Sequence, residues 1–255
     1  MKPTTVHVVV PMAGHGSRFA AKGYKDPKPF IPVFDRPMIE WVIETMLPRD
    51  GYPVRPVFHF VAQAAHLAKY SLENICQRHG IEYTVQTVES VTQGAPCTVL
   101  LAKQYINNDE PLVTVNSDQF IDWDPNAFYA RLLDPALDGC INVFPQPNPA
   151  DAKWSFANVG PDGFVTEVAE KRWIGPLATT GVYGWKRGAD FVRLAEQMIA
   201  AEDRVNGEFY CCPVYGYLLR EGGRVGTIGC RKLWGLGIPE DLERFLADYR
   251  PKLGD

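Results

Sequence analysis

Val6-His7-Val8-Val9-Val10-Pro11-Met12-Ala13-Gly14-His15-Gly16-Ser17-Arg18 is the stretch on which the reading of this chain turns. A short β-branched run that stops at a proline and runs into glycines is a buried strand feeding a Gly-rich loop. Glycines let backbone N–H groups approach an anion closely, so the loop has the make-up of a phosphate cradle. Two familiar versions of such a loop fail here. The dinucleotide fingerprint wants glycine where Phe19 stands, and the Walker loop wants Gly-Lys-Ser/Thr, which is absent. Arg18 lies within the loop and Lys28 follows it, held out of a helix interior by Pro27 and Pro29. Arginine grips phosphate oxygens as a fork, and lysine adds a compact charge.

Working outward, Pro37 opens a helix whose apolar face carries Met38, Trp41, Val42, Thr45 and Met46. The residues 54–62 read as a second buried strand, 65–79 as a helix closed by Gly80, and 82–88 as a third strand. Gly94 opens a helix to about Ile106, and 111–116 form a fourth strand ending in Ser117-Asp118. This alternation predicts an α/β fold, a Rossmann-like, mostly parallel mixed sheet with helices on both faces. Ligands then sit at the C-terminal strand ends, where Gly14 to Arg18, Gln93-Gly94 and Asn116 to Asp118 fall. The later part is more mixed. Strands are expected over 139–144, 155–159, 164–169 and 177–185, helices over 187–201, 208–221 and 239–249, and a frayed tail over 251–255. No linker divides the 255 residues, which read as one domain with a nucleotide-binding half over 1–120 and an acceptor-binding half over 121–255.

Composition excludes several functions. With 46% hydrophobic and 22% charged residues the chain can bury a sizeable core. A net charge of −4 gives no global attraction for a nucleic-acid polymer. The apolar run at the N-terminus is too short for a signal peptide or a membrane span, so a cytoplasmic protein with no membrane partner is expected. Six cysteines without a C-x-x-C pair or zinc-finger spacing read as reduced, mostly buried thiols. No histidine shows ligand spacing, and Ser17 lacks a visible base for nucleophilic catalysis.

The remaining candidates are individually weak. Asp118 ends an apolar strand at the ligand edge, where a carboxylate can hold Mg²⁺ bridging triphosphate oxygens, and where an aspartate can equally serve a turn. Asp122 and Asp124 read as a solvated turn before Pro125, with metal ligation as the alternative. Glu170-Lys171 ends a strand, Thr179-Thr180-Gly181 begins or interrupts the next, and Asn206-Gly207-Glu208 opens a helix. Trp154 and Trp234 read as core or rim aromatics rather than base platforms.

Taken in order, these segments resemble the nucleotidyltransferase family that makes activated sugars and related nucleoside-diphosphate-linked compounds. Pro11 to Phe19 followed by Pro27-Lys28-Pro29 is similar to its G-x-G-x-R then P-K signature. Gln93-Gly94 resembles its base-recognition step, Asn116-Ser117-Asp118 its metal-binding strand end, Glu170-Lys171 its acceptor-side pair, and Leu236 to Asp241 its closing G-T-P-E-D segment. Gln93 to Cys97, Asn116 to Gln119 and Asn206 to Tyr210 look most like a branch encoded with capsule and surface-polysaccharide genes, which includes phosphoglutamine cytidylyltransferase. The resemblance implies transfer of a nucleoside monophosphate, from CTP by preference, to a phosphorylated small molecule with release of pyrophosphate. It implies that Met12, Ala13, Gly14, Gly16, Ser17, Arg18, Gln93, Gly94 and Asn116 bind the nucleotide. Arg18, Lys28, Asp118 and Lys171 would be catalytic, and Asp118 would hold Mg²⁺. Glu170, Lys171, Thr180, Gly181 and Glu208 would meet the acceptor.

Three departures bear on this. The strand ends Asn-Ser-Asp rather than Gly-Asp, Ile238 replaces a threonine, and Gly235 stands where many members carry a second metal-binding aspartate, which leaves Glu208, Asp241, phosphate or water to complete the shell. A glycosyltransferase on the same kind of fold stays open, since Asp122-Trp123-Asp124 has D-x-D spacing, as does a non-catalytic relative. Sheet proteins of this class often pair into symmetric homodimers, and the oligomeric state is left open.

Overall fold

The computed structural model describes residues 2–250; the expected tail over 251–255 lies outside them. The strands are β1 (Thr4–Met12), β2 (Pro32–Val33), β3 (Arg36–Pro37), β4 (Val54–Gln63), β5 (Glu82–Val88), β6 (Leu112–Val115), β7 (Gln119–Asp122), β8 (Gly139–Pro145), β9 (Ser155–Val159), β10 (Val165–Glu170), β11 (Leu177–Trp185), β12 (Val225–Gly229) and β13 (Lys232–Gly235). Nine of them form one sheet in the order β10-β9-β11-β6-β1-β4-β5, with β8 pairing both β11 and β12. The early strands pair in parallel, β1 between β4 and β6 and β4 beside β5. β11 then runs antiparallel to β6 and joins the later strands to them. The mixed α/β sheet expected from the alternation is the one observed.

Alternation within β1 explains the layers. Successive side chains of a strand point to opposite faces. Val6, Val8 and Val10 join Phe58, Phe60 and the Met38–Met46 helix on one face. Val9 joins the other, with Trp185, Tyr215 and the Gly188–Ala200 helix. A third cluster gathers Phe19, Trp41, Leu236 and Phe245, so the closing segment packs back on the opening loop.

Several element bounds differ from expectation. The helix over 65–79 is two, Ala64–Leu67 and Leu72–Arg78, because the Ser71 side chain caps the second by accepting from Asn74 N. Gly80 follows at φ 59°, in the expected left-handed terminator position. The helix from Gly94 to Ile106 is likewise two, Ala95–Leu100 and Lys103–Ile106. The helix over 208–221 starts only at Cys211. Asn206 (φ 50°) and Gly207 (φ 82°) both lie at positive φ, and Val205 and Glu208 exchange backbone hydrogen bonds across them. That is a primed two-residue turn, for which Asn-Gly is the favoured pair, not a helix start. Pairing of β7 with β13 and the Pro125–Leu132 helix were not expected at all.

The cysteines are free thiols; Cys76, Cys140, Cys211 and Cys212 are buried. Among the described residues no helix is long and apolar enough to cross a membrane.

His7 and His59 form a buried pair that spacing does not reveal. His7 Nε2 lies 2.8 Å from Glu110 Oε2, His7 Nδ1 2.8 Å from His59 Nε2, and His59 Nδ1 2.8 Å from Thr84 Oγ1. An ionised Glu110 only accepts, so neutral His7 carries its proton on Nε2 and takes one from His59 Nε2–H, leaving Thr84 to donate to His59 Nδ1. Burial, with His7 alongside, pushes the His59 imidazole down to about 4. An unfolded histidine titrates near about 6.5, so the unfolded chain binds more protons between these values. This contribution is whole above about pH 6.5 and is lost as the pH falls through about 4. Denaturation at stepped pH is expected to show stability declining across that window, by about 3 kcal/mol in total, with a shallower decline in His59→Gln; an equal slope in both would remove His59 as the cause.

Candidate functional site

A cleft of about 620 Å³ opens at the C-terminal ends of β1, β6 and β10. Its lining brings together Arg18, Lys28, Asn116, Asp118, Glu170, Lys171, Thr180, Gly181 and Glu208, nine residues that sequence alone singled out. Met12, Ala13, Gly14, Gly16, Ser17, Gln93 and Gly94 do not line it. Met12 and Ala13 are buried beside it, and Gln63 Nε2 donates to Ala13 O at 2.7 Å.

The loop after β1 tightens at Gly16 (φ 61°), and a Cβ there would lie 3.1 Å from Lys28 Cβ. Glycine thus allows the Gly-rich loop and the Lys28–Phe30 3₁₀ turn to touch. Lys28 Nζ donates to Asp118 Oδ2 at 2.8 Å, closing an ion pair across the cleft. Asp118 itself is set by β7 and β13: Leu236 N donates to Asp118 O at 2.8 Å, and Gly235 pairs with Gln119.

The opposite wall comes from β10 and β11. The pairing of β11 with β8 slips between Thr179 and Tyr183, an irregularity that re-aims the intervening residues. Thr180 Oγ1 there donates to Asn142 Oδ1 at 2.7 Å, and Asn142 Nδ2 to Ile228 O at 2.9 Å. Gly181 (φ 88°) lies so near Asn116 that any side chain would overlap the Asn116 amide. Glu170 is 9% exposed and accepts from Ser155 Oγ. Burial pushes its carboxyl above the usual range, opposed by the Ser155 hydrogen bond and by Lys171. Lys171 holds a left-handed conformation (φ 51°) unusual for a residue with a side chain, and its Nζ contacts Tyr210 Oη. Tyr210 Oη in turn donates to Glu208 Oε2 at 2.8 Å. Burial, then Glu208, raises the Tyr210 phenol above its ordinary value. Tyr210, Ser155 and Lys153 also line the cleft and were not singled out by sequence; only Tyr210, within the Asn206 to Tyr210 run, had a motif pointing to it.

Asp122 and Asp124 do not line the cleft. Asp122 pairs with Arg231, and Asp124 caps the Pro125–Leu132 helix by accepting from Asn126 N. Trp234 packs on Phe245, while Trp154 stands on the cleft rim. Among the described residues no group of three or more His, Cys, Asp or Glu side chains gathers as a metal cage. Of the four carboxylates that line the cleft, Asp118 and Asp241 lie against the segment from Gly235 to Gly237. A Cβ at Gly235 would lie 3.5 Å from Asp241 Oδ2, so Asp241 reaches the space above the position that lacks an acid. Mg²⁺ is commonly held by one or two carboxylates with substrate phosphates and water, and this donor set fits it.

The geometry agrees with the comparisons. The model of the nucleotidyl transferase family matches residues 8–209. The nucleoside-diphosphate-sugar pyrophosphorylase from Vibrio cholerae RC9 superposes with a TM-score of 0.79 at 25% identity, over 94% of this chain and 99% of that one. A UTP-bound UGPase from Acinetobacter baumannii gives 0.74 at 18% identity, over 100% and 96%. The inositol-1-phosphate CTP transferase from T. maritima gives 0.72 at 13%, over 97% and 98%. No curated protein is similar to the chain in sequence. The chain belongs to the nucleotidyl transferase family.

Gly237 offers a test of the cleft's geometry. A Cβ at 237 would lie 2.7 Å from Asp118 Oδ2, the far end of a side chain that can swing aside. Gly237→Ala is therefore expected to keep its melting temperature within a few degrees while weakening triphosphate binding at least about tenfold. Unchanged binding would show that the position of the Asp118 carboxylate is immaterial.

Proposed function

We propose that the protein transfers a nucleoside monophosphate from a nucleoside triphosphate, CTP by preference, to a phosphorylated small molecule or sugar phosphate, releasing pyrophosphate, for capsule or surface-polysaccharide synthesis. The observation that carries this reading is the Lys28–Asp118 pair, 2.8 Å apart, in a cleft shared with Arg18 and Lys171. The likeness to a nucleoside-diphosphate-sugar pyrophosphorylase supports it. The family resemblance and the composition support the further expectations of a cytoplasmic site of action and of one domain divided near residue 120.

In this reading the loop from Met12 to Arg18 wraps the triphosphate, with Gly14, Gly16 and Ser17 offering backbone N–H groups, and Asn116 stands below it. Gln93 and Gly94 meet the base. Lys171 positions the acceptor phosphate, one oxygen of which attacks the α-phosphorus. That O–P bond forms as the bond to the β-phosphate bridging oxygen breaks, and its electron pair leaves with pyrophosphate. Arg18 and Lys28 face the charge that builds on the α-phosphate and the departing group. Glu170, Thr180, Gly181 and Glu208 line the acceptor side; a buried Glu170 that keeps its proton can donate a hydrogen bond as well as accept one. Asp118, with Asp241 near it, would hold Mg²⁺, which supplies charge neutralisation on the phosphates. Positioning and charge stabilisation carry such a reaction without a covalent enzyme intermediate.

Thermal unfolding with Mg²⁺ and CTP, UTP, GTP, ATP or dTTP tests the reading without knowledge of the acceptor. A ligand at 100 times its Kd adds about 2.7 kcal/mol to the native state. At least one triphosphate is expected to raise the melting temperature by a few degrees, with the rise abolished in Lys28→Ala. Stabilisation by nucleoside-diphosphate sugars alone would overturn nucleotidyl transfer.

A further inference from the structure

Arg204 belongs to neither the cleft lining nor any motif, yet it is tied to Gln93 across 111 residues of sequence. Its Nη2 donates to Gln93 Oε1. The same guanidinium lies 4.0 Å from the centre of the Phe209 ring, donates from Nε to Glu202 Oε2 at 2.6 Å, and reaches Gly207 O at 3.3 Å. The backbone beneath it is equally constrained. Phe209 N donates to Gln93 O at 3.1 Å, and Gly94 (φ 142°) lies against Phe209 so closely that any side chain would overlap its carbonyl. Glu202, Asn206 and Gly207 all lie at positive φ, which folds the 202–207 segment into a compact cap on Gln93. Ala95, two residues beyond Gln93, lines the cleft.

The polarity of this contact is forced. A guanidinium has five N–H donors and no acceptor, so the atom of the Gln93 amide facing Arg204 is its oxygen. Arg204 therefore takes that oxygen and sets a positive charge beside it. Among the described residues the Gln93 Nε2 amide donates to no protein group, and its two N–H groups face solvent and remain for a ligand. An incoming N–H donor meets a cation at the oxygen, whereas an acceptor meets free donors.

Resting on the reading that Gln93 meets the base, we infer that Arg204 is a positioning residue that makes this subsite a hydrogen-bond donor, selecting bases whose ring nitrogen on the pairing edge is an acceptor. Cytosine (N3) and adenine (N1) qualify. Uracil, thymine and guanine carry a hydrogen on that nitrogen and present a donor to a donor. A side chain of the acceptor half, acting on a residue of the nucleotide half, would then set a selectivity that CTP and ATP meet and the other three do not.

Calorimetric titration of the full chain with Mg²⁺ and each of CTP, ATP, UTP, dTTP and GTP tests this. The wild type is expected to bind CTP or ATP at least about tenfold more tightly than UTP, dTTP and GTP, a difference typical of one mismatched hydrogen bond. The stronger of the first two names the base. Arg204→Ala should shrink that ratio to about threefold or less, because the freed Gln93 amide can turn over and accept. Arg204→Lys keeps a donor-only cation beside Glu202 and should retain most of the preference. A merely structural role would weaken all five ligands alike and leave the ratio unchanged, which would overturn the assignment. So would a wild-type preference for UTP, dTTP or GTP, with nucleotidyl transfer itself left standing. Failure of every triphosphate to bind would overturn nucleotidyl transfer, and the inference with it.

Discussion

The antiparallel joint between β6 and β11 holds the two halves of this molecule in one sheet, and the cleft exists because of how that joint ends. Val182 pairs with Val115, and the next step along each strand brings Gly181 against Asn116, with Asn116 N donating to Gly181 O at 3.2 Å. There the absence of a side chain on Gly181 lets the Asn116 amide tuck against the backbone. Beyond this point β6 runs into Ser117-Asp118, while β11 slips its register against β8. One contact thus sets the spacing between the wall that carries Asp118 and the wall that carries Glu170 and Lys171. A larger residue at 181 would press on both walls, since neither backbone can yield without disturbing paired strands on either side.

The two walls differ in how their polar groups are held. On the β1 and β6 side, Arg18 is exposed and Lys28 is paired with Asp118 at 2.8 Å. On the β10 and β11 side the groups are tied to one another: buried Glu170 to Ser155, buried Tyr183 to Thr179 at 2.8 Å, and, nearer the surface, Lys171 to Tyr210 and Tyr210 to Glu208. The buried members, Glu170, Thr179 and Tyr183, are held in place, because one that moves leaves a partner unsatisfied. The exposed guanidinium therefore belongs to one wall and the larger hydrogen-bonded set to the other. That division suits a site where flexible phosphates are gathered on one side and a shaped molecule is matched on the other.

What the sequence made legible was local. The run from Val6 into the glycines announces β1 and its loop, and Ser117-Asp118 after an apolar run announces a strand end, because period and punctuation lie within a few residues of each other. Nine of the residues that the family resemblance names share one cleft. What escaped depends on partners far away in the chain. β7 and β13 are four-residue strands that exist only by pairing with each other. His7 and His59 show no helical or strand signature of function, and their link to Glu110 spans 103 residues. Arg204 looks like any exposed arginine in a charged turn until the fold lays it on Gln93. The helix begins at Cys211 and not at Glu208 for a different reason: Asn206-Gly207 is a strong turn pair at positive φ, and the turn it closes occupies the residues just ahead of the helical pattern.

The Lys28–Asp118 pair also bears on what the resting cleft refuses. Each charge is the other's counter-ion, so Lys28 is no bare cation to a passing anion and Asp118 no bare carboxylate to a passing metal. Inorganic phosphate, abundant in any cell, must pull Lys28 from a partner already in place, and a lone divalent ion must displace an ammonium from Asp118. A polyphosphate that arrives with its own metal satisfies both at once, offering Lys28 an anion and Asp118 a cation in a single exchange. For the proposed reaction the pair is a single exchange: a metal-bound polyphosphate would give a partner to each charge, and either half alone would give a partner to only one.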